Sequence, residues 1–165
     1  MIEIRAAVLE DIPAIAQLVV DTWFETHEPH VSKEIFAERK ANWGYAESAN
    51  AWRRSLSELA PSDLLLLVAT DGLKIVGVAS SQVKDTESVE LETLYVDVTY
   101  QRSGVGTRLF DATVEYFRES GIKALFLASL AANDQARRFY EGLGGRALAS
   151  RQSREGVEVI YTWAL

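Results

Sequence analysis

The sequence contains no cysteine and no long apolar run, and these two absences exclude several kinds of protein. Without cysteine the chain can form no disulfide, no thiolate nucleophile and no cysteine-ligated metal site. No stretch approaches the roughly 20 apolar residues that a membrane-spanning helix needs, and the N-terminus shows no signal-peptide pattern. We therefore expect a cytoplasmic protein without a membrane partner.

Positive charge is also scarce. Lysine and arginine number 17 against 24 aspartates and glutamates, which gives a formal net charge of -7. A nucleic-acid-binding surface needs clustered positive charge, so we expect no nucleic-acid partner, whereas a cationic substrate is compatible with this balance. A length of 165 residues with 48% hydrophobic content suits one globular domain, which we place at residues 1–165.

Hydrophobic periodicity and turn residues predict an α/β protein. A strand follows directly after a long helix late in the chain, and this order implies a right-handed crossover with a parallel pair of strands. The predicted strands are 2–5, 64–70, 75–83, 89–96, 124–129, 146–153 and 157–164. The predicted helices are 11 to about 24, 105–120 and 134–141, with two short ones between 25 and 60 that begin at Ser32 and near Asn50.

The stretch from Leu91 to Tyr116 contains a strand, a glycine-containing turn and the start of a helix. Gly104 and Gly106 leave the first helical amides open to an anion, which the helix dipole also favours. A Walker loop requires Gly-Lys-Ser/Thr, and that tripeptide is absent. A dinucleotide fingerprint requires a third glycine where Leu109 stands. The turn by itself therefore indicates either a phosphate site of another kind or only a tight turn.

Two longer patterns decide between these readings. The run Gln101-Arg102-Ser103-Gly104-Val105-Gly106 after Leu94-Tyr95-Val96 resembles the Q/R-x-x-G-x-G/A element of the Gcn5-related N-acetyltransferase (GNAT) superfamily. The run from Asn133 to Gly144 is similar to that family's N-x-x-A-x-x-F-Y-x-x-x-G. The segment from Trp23 to Ile35 also resembles the acceptor loop of polyamine-type and PaiA-like members.

The resemblance implies a single-domain fold with a mixed, mostly antiparallel sheet of about seven strands and about four to five helices. Its parallel pair is splayed at the cofactor crevice. It also implies an acyltransferase that uses acetyl-CoA as co-substrate and acetylates a primary amine of a small, polyamine-like molecule. Direct attack is expected, because a chain without cysteine can form no thiol acetyl-enzyme.

Two other functions stay open. The first is a protein N-terminal or lysine acetyltransferase, which should show an open groove for its acceptor. The second is a non-catalytic acyl-CoA-binding sensor. The resemblance further implies a homodimer formed through the last strands.

Site residues follow from the resemblance position by position. Backbone groups of Leu94 and Val96 would pair with the acetyl and pantetheine parts, and amides from Arg102 to Thr107 would hold the pyrophosphate. Tyr140 would be the general acid that protonates the leaving thiolate, since a phenol is a neutral donor at pH 7. The cofactor-binding set is Leu94, Tyr95, Val96, Gln101, Arg102, Ser103, Gly104, Val105, Gly106, Thr107, Asn133 and Tyr140.

The general base is expected to be Glu92 or Glu90, with Glu92 the first choice. On a regular strand both glutamates share a face with Leu94 and Val96, although a β-bulge, which is usual in this family's fourth strand, would alter that parity.

The acceptor side is expected to be formed by the first two helices and their loop, with acidic and aromatic groups that suit a cationic amine. The predicted acceptor-binding residues are Trp23, Glu25 and Glu28. His27 and His30 have no carboxylate or cysteine partner at metal-ligand spacing, so we expect surface residues and no metal site.

Overall fold

One seven-stranded mixed sheet forms the frame of the protein in a computed structural model that describes residues 1–165. Its strand order is β1-β2-β3-β4-β5-β7-β6, and β4 and β5 are the parallel pair. The expected α/β fold with a mostly antiparallel sheet is confirmed. The elements are β1 Ile2–Ala6, α1 Ile12–His27, α2 Lys33–Asn42, α3 Tyr45–Glu58, β2 Leu64–Asp71, β3 Lys74–Val83, β4 Ser88–Val96, α4 Val105–Glu119, β5 Ala124–Leu130, α5 Asp134–Gly142, β6 Arg146–Ser153 and β7 Gly156–Ala164.

Two helix boundaries differ from the prediction. Helix α1 continues past Phe24 to His27, which adds almost one turn at its C-terminal end. Helix α3 begins at Tyr45, so the start expected near Asn50 is wrong. The reason is a local cap: the Glu47 carboxylate accepts a hydrogen bond of 3.0 Å from the Gly44 amide ahead of the helix, which satisfies a donor that the helix leaves free.

Apolar side chains pack on both faces of the sheet. The central strands β2 and β3 are buried almost throughout, as strands covered on both faces should be. Helix α4 covers one face with Val105, Leu109, Phe110 and Phe117, whereas α1 and α3 cover the other. The sheet therefore holds α1 and α4 on opposite sides of the same strands.

Strand β4 contains a bulge in the middle of its pairing with β3. Leu91 pairs with Ser81 and Thr93 pairs with Ser80, so Glu92 is the extra residue. Beyond the bulge the alternation of faces is reversed. Glu90 consequently lies on the α1 face, together with Tyr95, which packs on the core of that face.

Leu94 and Val96 pack on the opposite, α4 face, where Val89 and Leu91 are also buried. The shared face expected for Glu90, Leu94 and Val96 on a regular strand is therefore corrected by the bulge.

The parallel pairing of β4 with β5 is short. It joins Ser88–Glu90 to Ala124–Phe126, and β5 continues along β7 while β4 continues along β3. The two strands diverge beyond Glu90 and leave a crevice between them, as the splayed pair was predicted to do. Unpaired strand backbone lines this crevice, so a ligand there can take up hydrogen bonds that the sheet leaves free.

Strand β6 is an edge of the sheet, and most of its residues are exposed. Homodimer formation through the last strands stays a prediction.

None of the helices is both long enough and apolar enough to cross a lipid bilayer.

Candidate active site

The β4 wall of the crevice presents backbone groups of two predicted residues. The Asp97 amide donates to the Val76 carbonyl of β3 at 2.9 Å, and backbone directions alternate along a strand. The backbone N–H and C=O groups of Tyr95 therefore point towards β3, whereas those of Leu94 and Val96 point into the crevice. The Val96 carbonyl is already held by the Gln101 side chain, whose Nε2 donates to it at 3.0 Å.

Gln101 thus ties the loop to the end of β4, a structural role that sequence reasoning did not assign. The Leu94 backbone and the Val96 amide remain directed at the crevice. Their predicted pairing with the acetyl and pantetheine groups fits this geometry.

The turn after β4 ends in a cluster of free backbone amides. From Arg102 to Thr107 no amide donates a hydrogen bond, and the first paired one is Arg108, which donates to the Gly104 carbonyl at 3.0 Å. Gly104 adopts φ 87, the left-handed conformation that glycine accommodates best. Free amides at a helix start, together with the helix dipole, form an anion site.

Positive side chains flank these amides. Arg102 and Arg108 are both exposed and form no ion pair. Guanidinium groups without a partner are well suited to phosphate oxygens. The hydroxyl of Ser103 donates to the Tyr100 carbonyl, so it stabilises the turn.

Gly106 sits where α4 meets α5. A Cβ atom at this position would lie 3.2 Å from Cζ of Phe139 and 3.7 Å from Val96. The first turn of α4 therefore packs closely between β4 and α5, and the anion site, the crevice wall and α5 form one unit.

Asn133 begins α5 and caps it. Its Oδ1 accepts a hydrogen bond of 3.1 Å from the Ala136 amide. A contact of Asn133 with the pantetheine arm would therefore use its Nδ2 donors. The cap explains why this residue type precedes the helix independently of any ligand.

Tyr140 is half-buried on α5 and packs against the hydrophobic core. Its ring centroid is 6.3 Å from those of Tyr161 and Trp163, and its hydroxyl makes no hydrogen bond within the protein. Burial raises the pKa of Tyr140 to about 12, so the phenol keeps its proton at neutral pH. Burial also raises the pKa of Tyr95, and the nearby Glu155 and Tyr140 add to that rise.

The two candidate bases, Glu90 and Glu92, share one cationic partner. Lys84 Nζ lies 3.1 Å from Glu90 and 2.8 Å from Glu92, and it also donates to Gln82 at 3.0 Å. Burial alone would lower the pKa of Lys84, but the hydrogen bonds to the two carboxylates outweigh burial and raise this pKa. Lys84 therefore stays charged, and the bulge brings both glutamates to it. No sequence pattern had identified Lys84 as a residue of the site.

The three predicted acceptor-binding residues are not brought together. Trp23 is only 3% exposed and has no free ring face, since His27 and Phe36 stack against it at 5.0 and 5.9 Å. Glu25 and Glu28 are exposed and make neither an ion pair nor a hydrogen bond. Trp23 is therefore part of the packing under the acceptor side and is not exposed to a substrate. Contact of a substrate with Glu25 or Glu28 stays a prediction.

Arg39 also lies close to the Trp23 ring and contacts the neighbouring Trp43 ring, so a protein cation already uses these two aromatic groups. Its guanidinium carbon lies 5.3 Å from the Trp23 ring and 5.0 Å from the Trp43 ring. The same guanidinium pairs with Glu155 at 2.7 Å and so joins α2 to the turn between β6 and β7. A second pair, Arg154 with Glu38, bridges the same two segments.

His27 is half-buried between Trp23 and Tyr95, so the expectation of a surface residue is wrong for it. The extra turn of α1 is the cause, because residues four apart on a helix lie on one face and Trp23 points inward. Sequence reasoning missed this residue, although its spacing of four from an inward tryptophan was a usable signal.

Replacing Gly104 with alanine should weaken acetyl-CoA binding about fivefold, because alanine in the left-handed region is strained by about 1 kcal/mol and the turn would relax away from its anion-binding shape. Calorimetric titration with acetyl-CoA measures the effect. Gly72→Ala is the matched control: Gly72 has φ 59 in the β2–β3 hairpin, and at both positions an added Cβ meets nothing within 4 Å. Equal loss of affinity in both variants would contradict the local role of Gly104.

The splayed strand pair and the free amides at the start of α4 form a crevice with an anion site, which suits a protein that binds an acyl-CoA. Comparison with known proteins agrees. The model of the acetyltransferase (GNAT) family matches residues 12–144. The chain therefore belongs to the acetyltransferase (GNAT) family, and the expected acyltransferase class and acetyl-CoA co-substrate are confirmed.

Solved structures share the whole fold. The PaiA N-acetyltransferase of Thermoplasma acidophilum, in complex with coenzyme A, is 21% identical over 100% of this chain and 99% of its own, with a TM-score of 0.81. The ribosomal-protein-S18-alanine N-acetyltransferase of Escherichia coli is 22% identical over 99% and 94%, with a TM-score of 0.71. The putative acetyltransferase YncA of Salmonella typhimurium, with acetyl-CoA, is 18% identical over 100% and 94%, with a TM-score of 0.74. At these identities the likeness concerns the fold.

Proposed function

We propose that the protein transfers the acetyl group of acetyl-CoA by direct attack to a primary amine of a small molecule. The observation that carries this proposal is the hydroxyl of Tyr140, which makes no hydrogen bond within the protein and has a pKa raised to about 12, so that it keeps its proton at neutral pH. A phenol in this state can give a proton to a leaving group.

The residues of the crevice fit acetyl-CoA. The free amides from Arg102 to Thr107 and the unpaired Arg102 would hold its phosphates, and the backbone of Leu94 and Val96 would orient the pantetheine arm. When bound, the thioester supplies the electrophilic carbonyl carbon. Tyr140 would protonate the sulfur as it leaves.

The acceptor side favours a small molecule over a peptide. Two ion pairs, Arg39 with Glu155 and Arg154 with Glu38, connect α2 to the turn between β6 and β7. A bridged acceptor side suits a compact amine, whereas a peptide acceptor needs an open groove. The formal net charge of -7 is compatible with a cationic amine such as a polyamine.

Glu92 and Glu90 stay candidates for the general base. Each is paired with Lys84, so accepting a proton would weaken an ion pair that the fold already contains. Glu90 is the more enclosed of the two, with 17% of its side chain exposed against 39% for Glu92.

The test combines donor binding with acetyl transfer. We expect acetyl-CoA to bind in calorimetric titration and free CoA thiol to appear with at least one amine from a panel of polyamines, amino acids, aminoglycosides and peptides. Transfer to peptides alone would support the protein N-terminal or lysine acetyltransferase, and tight binding without any transfer would support the sensor. Absence of acetyl-CoA binding at tens of micromolar would contradict all three.

A further inference from the structure

The hydrogen bonds around His27 favour one of its two neutral tautomers. The Thr26 hydroxyl donates its single hydrogen to the Thr22 carbonyl at 2.7 Å. The same hydroxyl oxygen lies 3.0 Å from His27 Nδ1, so it can only accept there. This arrangement favours the neutral tautomer with the proton on Nδ1 and a free lone pair on Nε2.

The surroundings of the ring favour its neutral form. Burial lowers the pKa of His27 below its ordinary value, and the charges of His30 and Arg39 act in the same direction. Glu155 and the Trp23 carbonyl act in the opposite direction without overcoming burial. The groups facing the ring thus come from four elements around it: α2, the turn between β6 and β7, the 3₁₀ turn Glu28–His30, and β4 with Tyr95.

The position of His27 is defined by its neighbour on β4. Its ring centroid is 6.1 Å from that of Tyr95, which lies on β4 between the two residues whose backbones face the crevice. The charge of Tyr140 in turn contributes to the raised pKa of Tyr95. His27 therefore lies on the acceptor side, next to the β4 wall of the crevice.

We propose that Nε2 of His27 is the base that takes the first proton from the acceptor ammonium, and that Thr26 positions the ring for this step. The inference rests on the proposed function above. Unlike Glu90 and Glu92, whose carboxylates are paired with Lys84, the Nε2 of His27 has no partner within the protein to give up.

The proton balance is complete with these groups. Nε2 takes one proton from the ammonium, and the freed amine lone pair attacks the thioester carbonyl carbon. The carbon–sulfur bond breaks with its electron pair on sulfur, which receives the proton of Tyr140. The second amine proton returns to Tyr140, and His27 later releases its proton to water. The products are an acetamide and CoA thiol.

The test uses His27→Phe, which keeps an aromatic ring against Trp23 but has no basic nitrogen, and His27→Gln as a second variant. Two acceptors are compared. The first is the alkylamine that the wild-type protein acetylates fastest in the panel, beginning with 1,4-diaminobutane. The second is acetohydrazide, whose amine is already neutral at pH 7.5. With the alkylamine we expect kcat/KM to fall about 100-fold. With acetohydrazide we expect little change, because no proton has to be removed before attack.

The pH profile gives a second readout that a structural role would not move. In the wild-type protein, kcat/KM for the alkylamine should rise with pH through the His27 pKa, below the ordinary value for histidine, and then level off. This rise should disappear in both His27 variants and return when imidazole is added. His30→Gln, which changes the neighbouring histidine, should keep the rise.

A direct measurement without substrate tests the tautomer. The ¹⁵N chemical shifts of the His27 ring in the unliganded protein should show Nδ1 protonated and Nε2 free at neutral pH. A ring protonated at Nε2 would overturn the proposal. An equal fall in kcat/KM with both acceptors in the His27 variants, or a pH-dependent rise that these variants keep, would also overturn it. Absence of transfer by the wild-type protein to any amine would instead overturn the proposed function.

Discussion

Replacing Tyr140 with phenylalanine should lower kcat about 100-fold while leaving the affinity for acetyl-CoA nearly unchanged. The substitution removes only the hydroxyl, which makes no hydrogen bond within the protein, and it keeps the ring contacts with Tyr161 and Trp163. A group that acts mainly when the thiolate leaves affects turnover more than binding. Steady-state kinetics with the best amine and calorimetric titration with acetyl-CoA measure the two quantities.

Tyr116→Phe is the control for this variant, because Tyr116 lies on α4 with 42% of its surface exposed and should not affect turnover. The pH dependence offers a further check. Since burial raises the pKa of Tyr140 to about 12, the acid should stay active throughout the neutral and mildly alkaline range. An unchanged kcat in Tyr140→Phe would remove Tyr140 from the mechanism.

Replacing Gly145 with alanine should destabilise the protein by about 2 kcal/mol and lower its melting temperature by about 4–8 °C. The added Cβ would lie 2.5 Å from Cζ2 of Trp163 and 2.8 Å from the Tyr140 carbonyl, so backbone or indole must move. The Trp163 indole is fixed by its hydrogen bond of 3.0 Å to the Leu143 carbonyl, and the Gly145 amide donates to Tyr140. We expect kcat to fall as well, since Tyr140 would shift.

Gly142→Ala, at the C-terminal end of α5, is the matched control for Gly145→Ala. A Cβ at Gly142 would meet no atom within 4 Å, and alanine favours a helix by about 1 kcal/mol over glycine. Thermal unfolding followed by circular dichroism should therefore show Gly142→Ala at or slightly above the wild-type melting temperature. A Gly145→Ala variant as stable as Gly142→Ala would show that the contact with Trp163 relaxes without cost.

Elements whose signals are local were predicted well. The cap at Ser32 is found where expected, with its hydroxyl accepting from the Ile35 amide at 3.2 Å, and Gly121 ends α4 with φ 84. The strand, helix, strand order placed the parallel pair correctly, because a crossover helix returns the chain to the end of the sheet at which the first strand began. The start of α3 was missed, since its cap uses a glutamate inside the helix rather than a residue ahead of it.

The sequence by itself determined the order of the elements, the free amides after Gly104 and the places of Asn133 and Tyr140. Those features depend on backbone conformations and helix starts that neighbouring residues specify. Only the tertiary structure decided the face of Glu90, the pairing of both glutamates with Lys84 and the enclosure of His27. These depend on one extra residue in the register of β4 and on contacts between segments far apart in the chain, and a side-chain period of two reverses its faces when a single residue is inserted.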